Sequence, residues 1–124
     1  MKYTQRQLLH KFICNNIKSG MTDEKSLQLK DSRLFFLNKC IAVRSINNNN
    51  NHEELIINLH RYDKKTEIIQ QYLLNNSLQY NRTIILFDND KEFEYYCYLN
   101  FNIGHIQKNK LLEKKKEVKK YGHN

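Results

Sequence analysis

Apolar and polar residues alternate along part of this chain and recur at helical spacing along other parts. Ser26 to Asp31 sets Leu27 and Leu29 on one side and Gln28 and Lys30 on the other, the period-two signature of a short half-buried strand. Asp31-Ser32 reads as a turn, Arg33 to Leu37 as a second strand, Asn38-Lys39 as a second turn and Cys40 to Ile46 as a third strand. In that third strand strict alternation puts Ile41 and Val43 on one face and Ala42 and Arg44 on the other. Glu54 to His60 is a fourth strand centred on Ile56 and Ile57, and Thr83 to Phe87 a compact apolar one.

The helical segments are three. Thr4 or a neighbour caps a first helix expected to run to about Lys18, with Leu9, Phe12, Ile13 and Ile17 on one face. Ser19-Gly20 stops it, and Met21 to Lys25 reads as a loop. Asp63 or Thr66 caps a second helix whose apolar face is Ile69, Leu73 and Leu74 and which ends at Asn75-Asn76. Asp88 or Asp90 caps a third through about Asn100, carrying Phe93, Tyr96, Cys97 and Leu99; its aromatic content also suits a strand. Asn47 to Asn51 reads as an expanded hairpin loop with no function, because asparagine is polar and tolerates left-handed backbone. The expected fold is a single α+β domain over residues 1–104, a small antiparallel β-meander packed against two or three helices. A basic C-terminal extension follows at 105–124, helical or disordered.

A chain of 124 residues suits one domain, and 40% hydrophobic residues are enough to build a core. No stretch reaches the roughly 18 apolar residues of a membrane span. The formal charge is +8, of which the extension holds +5, through Lys108, Lys110, Lys114, Lys115, Lys116, Lys119 and Lys120 set against two glutamates. Seventeen Asn and 16 Lys beside 5 Arg, one Ala and no Pro or Trp are the mark of AT-rich coding, which explains part of the lysine excess without a ligand. Cys14, Cys40 and Cys97 lack zinc or disulfide spacing and read as buried thiols of a reducing cytoplasm. Asn81-Arg82-Thr83 fits a glycosylation acceptor, a match that arises readily by chance in so Asn-rich a chain. Residues 1–22 hold Lys2, Arg6, Lys11 and Lys18 and no acid, a profile shared with mitochondrial presequences. The bacterial host cytoplasm is the expected compartment and the mitochondrion the alternative.

Candidate chemistry is sparse. Asp88, Asp90, Glu92 and Glu94 could offer oxygens to Mg²⁺, but acids at a helix start equally serve the helix dipole. His52 beside Glu53 and Glu54 has the composition of an acid–base pair, and His60 with Arg61 and Tyr62 that of a small ribonuclease centre. Basic residues interleaved with aromatics fit RNA or single-stranded nucleic acid, since lysines neutralise phosphates and rings stack on bases. Arg44, Arg61, Lys64, Lys65 and the extension lysines are the electrostatic candidates; Tyr62, Tyr95, Tyr96 and Tyr98 are the stacking candidates. No cofactor, metal or small-molecule substrate is expected.

Two stretches carry a resemblance. Leu34-Phe35-Phe36-Leu37-Asn38-Lys39-Cys40-Ile41-Ala42 is similar to a strand ending in Ile-Ala. Tyr62-Asp63-Lys64-Lys65-Thr66-Glu67-Ile68-Ile69-Gln70 resembles a Tyr-Ser-x-Thr-Thr-Ser-x-x-Gln box. Both are features of a family of small proteins carried by phages and mobile elements of low-GC and Bacteroides-like hosts. Tyr62, Thr66, Gln70 and the Ile41-Ala42 pair match, while Asp63, Lys65 and Glu67 replace Ser, Thr and Ser; the likeness spans about residues 26–75. The family has no assigned general activity. The resemblance implies a genomic neighbourhood more than a mechanism. Together with the small size, the missing catalytic set and the basic extension, it leads to the expectation of a non-enzymatic phage or mobile-element binding protein whose partner is a host protein or ribonucleoprotein, such as an RNA-guided (CRISPR) effector that it inhibits. The alternatives are a peripheral RNA-binding subunit of an organellar ribosome from an AT-rich protist, and a small metal-independent ribonuclease using His60.

Overall fold

The alternating segments form strands, and the strands pair in the order in which they occur. The computed structural model describes residues 2–14, 17–78 and 83–101. Seven strands make one sheet in the order β1-β2-β3-β4-β5-β6-β7: Lys2–Tyr3, Gly20–Thr22, Leu27–Lys30, Arg33–Phe36, Lys39–Ile46, Glu53–Asn58 and Thr83–Phe87. The helices are α1 (Gln5–Cys14), α2 (Lys64–Ser77) and α3 (Asp90–Phe101). Neighbours from β2 to β6 are antiparallel, which is the expected meander. The two outer strands are parallel additions, β1 on β2 and β7 on β6, each linked to its neighbour through a helix. Both crossovers move the same way across the sheet from strands that point the same way. A shared handedness must therefore put α1 and α2 on the same face. Their side chains do share one core there, with Leu8, Phe12 and Ile13 of α1 and Ile69 and Leu73 of α2 packed on Leu27, Leu29, Leu34, Leu55 and Ile57. On the opposite face α3 lays Phe93, Cys97 and Phe101 on Val43 and Ile56.

Local chemistry fixes the ends of each element. Thr4 and Gln7 form a reciprocal capping box at α1, Gln7 N–H donating to Thr4 Oγ1 at 3.2 Å and Thr4 N–H to Gln7 Oε1 at 3.0 Å. Asp63 caps α2 by accepting from Thr66 N–H at 2.8 Å. At α3 the cap is Asn89, not Asp88 or Asp90: its Oδ1 accepts from the amides of Lys91 and Glu92 at 2.9 and 3.1 Å. The hairpin turns Asp31-Ser32 and Leu37-Asn38 have positive φ at both central residues, the mirror-image turn that suits the right-handed twist of a hairpin.

Four expectations are corrected. Helix α1 spans Gln5–Cys14, and Ile17 and Lys18, expected within it, lie outside any helix, while the carbonyls of Phe12 and Ile13 accept from the Arg44 guanidinium. Met21, expected in a loop, lies in β2, whose Gly20 and Met21 pair with β3 and whose three residues offer no alternation long enough to read. Ile41 and Val43 do not share a face. Leu34 pairs with Ala42 but Phe35 with Cys40, so Ile41 is the extra residue of a bulge; it joins Ala42 on the α1/α2 side, leaving Val43 on the α3 side. The asparagine loop is a hairpin connection, but it is built into the fold. Asn47 is 2% exposed, Asn48 N–H donates to Asn100 O at 2.8 Å, and Asn49 Nδ2 donates to Asn100 Oδ1 at 2.7 Å, tying the loop to the end of α3.

Candidate functional site

The junction between β6 and α2 gathers the residues of the Tyr62–Thr66–Gln70 box. Asn58 ends β6 fully buried, and its Nδ2 donates to Cys40 O at 3.1 Å, Tyr62 Oη at 3.2 Å and Asp90 Oδ1 at 2.8 Å. Tyr62 donates its hydroxyl proton to Asp90 Oδ1 at 2.5 Å. Gln70, nearly two turns into α2, reaches back and donates to the carbonyls of Asn58 at 2.7 Å and His60 at 2.9 Å. Asn58, Tyr62 and Gln70 each satisfy a backbone or side-chain group that the strand-to-helix exit would otherwise leave buried and unpaired, whereas the buried Thr66 hydroxyl has no hydrogen-bond partner among the described residues. Burial, with the Asp90 carboxylate beside it, raises the Tyr62 phenol well above its ordinary 10. The box is a joint. Asp90, the member of the acidic string nearest to it, is occupied in holding that joint.

Outside this joint lies a basic rim. Arg61, Lys64 and Lys65 are exposed around the first turn of α2, and no ion pair holds them among the described residues. Lys39, at the start of β5, joins them: its Nζ is 3.5 Å from Asp63 and 5.5 Å from the centre of the Tyr62 ring. His60 meets the same ring edge-on at 4.8 Å. Four cations thus face two acids, Asp63 and Glu67, on one turn. Lysines in a first turn oppose the helix dipole, so Lys64 and Lys65 are placed against local stability. Lys39 escaped the sequence reading because it was assigned to a turn; only the pairing of β5 with β6 brings it beside Tyr62.

Other expected residues serve the fold. Arg44, read as a phosphate contact, is 6% exposed. Its Nε donates to Glu53 at 2.7 Å and its Nη1 to Phe12 O at 3.2 Å and to Ile13 O. That is a side-chain cap for α1, and it removes Arg44 from the surface. Glu54 is 3% exposed and accepts from Tyr96 Oη at 2.6 Å, Asn47 Nδ2 at 3.0 Å and Asn50 Nδ2 at 3.3 Å. Burial pushes its carboxyl up, but these donors and nearby His52 outweigh burial and leave it below 4.5. With Glu53 on Arg44 and Glu54 on Tyr96, both proposed carboxylate partners of His52 are engaged elsewhere.

Tyr95 is buried and Tyr96 is packed against Phe87 and Phe101, so neither ring is free to stack on a base; Tyr98 is half-buried on α3. Burial pushes the Cys40 thiol up to about 12 and raises Cys97 as well, which keeps both as unreactive thiols at neutral pH. Among the described residues no group of three or more His, Cys, Asp or Glu side chains is placed to hold a metal ion, and no helix is long and apolar enough to cross a membrane. The extension lysines, Lys108 to Lys120, lie outside the described residues. No family model, curated protein or solved structure matches the chain.

Proposed function

We propose that this chain is a binding protein that engages a polyanionic partner through the basic rim at the start of α2. The partner class is a nucleoprotein, with an RNA-guided effector of a bacterial host as the specific candidate. The observation that carries this reading is the exposure of Arg61, Lys64 and Lys65, without ion-pair partners among the described residues, where the helix dipole disfavours cations. A phosphate bound there supplies the counter-charge that Arg61, Lys64 and Lys65 lack among the described residues, while the Thr66 amide stays with Asp63. Arg61 supplies a planar fork for two phosphate oxygens, and the lysines supply point charges. Seven lysines of the C-terminal extension add attraction at longer range and speed association. The partner candidate rests on the resemblance of residues 26–75 to mobile-element proteins.

The test is a mobility shift of the full chain with RNA and with an effector–guide complex at low salt, beside Arg61→Ala/Lys64→Ala/Lys65→Ala. The wild type is expected to shift one or both, and the triple variant to bind at least tenfold more weakly. No shift with any nucleic acid or nucleoprotein overturns the reading.

A further inference from the structure

Strand β7 (Thr83–Phe87) is an outer edge of the sheet, and among the described residues no strand lies beyond it. Its sequence, Thr-Ile-Ile-Leu-Phe, is uncharged and apolar. The opposite edge is a two-residue strand with a lysine in it. Natural sheets shorten or charge their edges to prevent pairing; β1 follows that rule and β7 breaks it.

The backbone directions on β7 can be worked out. It runs parallel to β6 with Asn58 opposite Phe87, and Leu59 N–H donates to Phe87 O at 2.5 Å. Phe87 therefore turns its backbone groups inward, and by alternation so do Ile85 and Thr83. The N–H and C=O of Ile84 and Leu86 point outward. Two directly opposed residues in an antiparallel pair exchange both bonds, and their neighbours exchange none. One two-fold register satisfies all four outward groups: Ile85 opposite Ile85 of a second copy, with each Ile84 opposite Leu86 of the partner subunit.

We infer that β7 is a self-association edge, where a second copy of this chain adds its own β7 antiparallel about a two-fold axis at Ile85. The side chains agree with this occupant. Ile84 and Leu86 sit on the α1/α2 side, so the register sets apolar against apolar, and Leu86, 47% exposed, loses its water. No charge is set against a like charge within the strand, which identical strands meeting at a two-fold must avoid. A polyanion finds no cation on this strand, so the edge is separate from the basic rim.

Sedimentation of the nuclease-treated full chain at high salt, over a concentration series, tests this without interference from polyanion bridging. The expected result is a reversible shift from 15.1 kDa to twice that mass, with exchange of the Ile84 and Leu86 amides slowed as the dimer fills. Leu86→Pro removes an outward N–H and leaves the β6 ladder intact, and Leu86→Lys sets a charge on the joint while keeping the backbone donor. Both are expected to sediment as monomers with unchanged circular dichroism; if the proline variant unfolds, the lysine variant decides. A wild type that stays monomeric at every concentration overturns the inference, including the case in which a foreign strand takes the edge. A dimer that survives in the folded variants overturns it too.

Discussion

The Tyr62 hydroxyl donates to Asp90 Oδ1 across 2.5 Å, and this one contact joins the exit of β6 to the first turn of α3. The same oxygen accepts from Asn58 Nδ2 at 2.8 Å, so Asp90 holds two donors, of which Asn58 Nδ2 also reaches Cys40 O and Tyr62 Oη. Tyr62→Phe removes one of them and is expected to lower stability by about 1 kcal/mol. Asp90→Ala leaves the Tyr62 hydroxyl without its acceptor and takes one of three acceptors from Asn58 Nδ2, and is expected to cost about 2 kcal/mol. Urea denaturation of the two variants checks the order; equal losses would mean that Asn58 does not depend on Asp90.

Tyr62 and Tyr96 also predict an alkaline limit. Burial and an adjacent carboxylate raise both phenols above 10. With the folded values above the unfolded one, their contribution is complete below pH 10 and declines as pH rises beyond it. Phenolate absorbance followed beside the folded signal should therefore show Tyr62 and Tyr96 ionising only together with unfolding. Ionisation of all the tyrosines while the fold persists would refute the geometry around Asp90 and Glu54.

Glu54 sets the acid limb. Its carboxyl is held below 4.5 despite burial, so its contribution is complete above that pH and is lost as pH falls through the lowered folded value. Glu54→Gln is expected to reduce stability at neutral pH by about 1–2 kcal/mol and to flatten the fall in stability on acidification. Chemical denaturation at neutral and acidic pH measures both.

Arg44 separates fold from function. Arg44→Ala leaves the carbonyls of Phe12 and Ile13 without their donor and Glu53 without its cation, an expected loss of about 2–3 kcal/mol. Affinity of the folded variant for RNA is expected to equal that of the wild type. A selective loss of affinity with stability intact would return Arg44 to the binding surface.

Leu37 occupies left-handed backbone, φ 49°, at the tip of the β4–β5 hairpin with its side chain 45% exposed. A branched side chain there costs about 1 kcal/mol that asparagine largely avoids. Leu37→Asn is expected to raise stability by about 0.5–1 kcal/mol in thermal melts. Destabilisation would mean that the leucine packs usefully on its neighbours.

The central meander and the three helices were legible because alternation, helical periodicity and capping residues are local signals. Strand β2 was not, since Gly20–Thr22 becomes a strand only by pairing with β1 and β3. The bulge at Ile41 was hidden for the same reason: nothing in Cys40-Ile41-Ala42 marks an extra residue until β4 is laid beside it. Arg44 was read as an electrostatic contact for nucleic acid and Glu54 as an acid–base partner of His52; their partners, Phe12 and Ile13 for one and Tyr96 for the other, lie more than thirty residues away. Of the rim, Arg61, Lys64 and Lys65 were read as a charged cluster from their adjacency. Lys39 could be added only once β5 was in register.

Salt dependence of RNA binding tests the central claim most directly. Each phosphate contact to a single strand contributes about 0.7 to the slope of log affinity against log salt. The full chain is expected to show a steep negative slope, and Arg61→Ala/Lys64→Ala/Lys65→Ala a slope shallower by about 2. Identical slopes for the two proteins, or an affinity that ignores salt, would contradict the account.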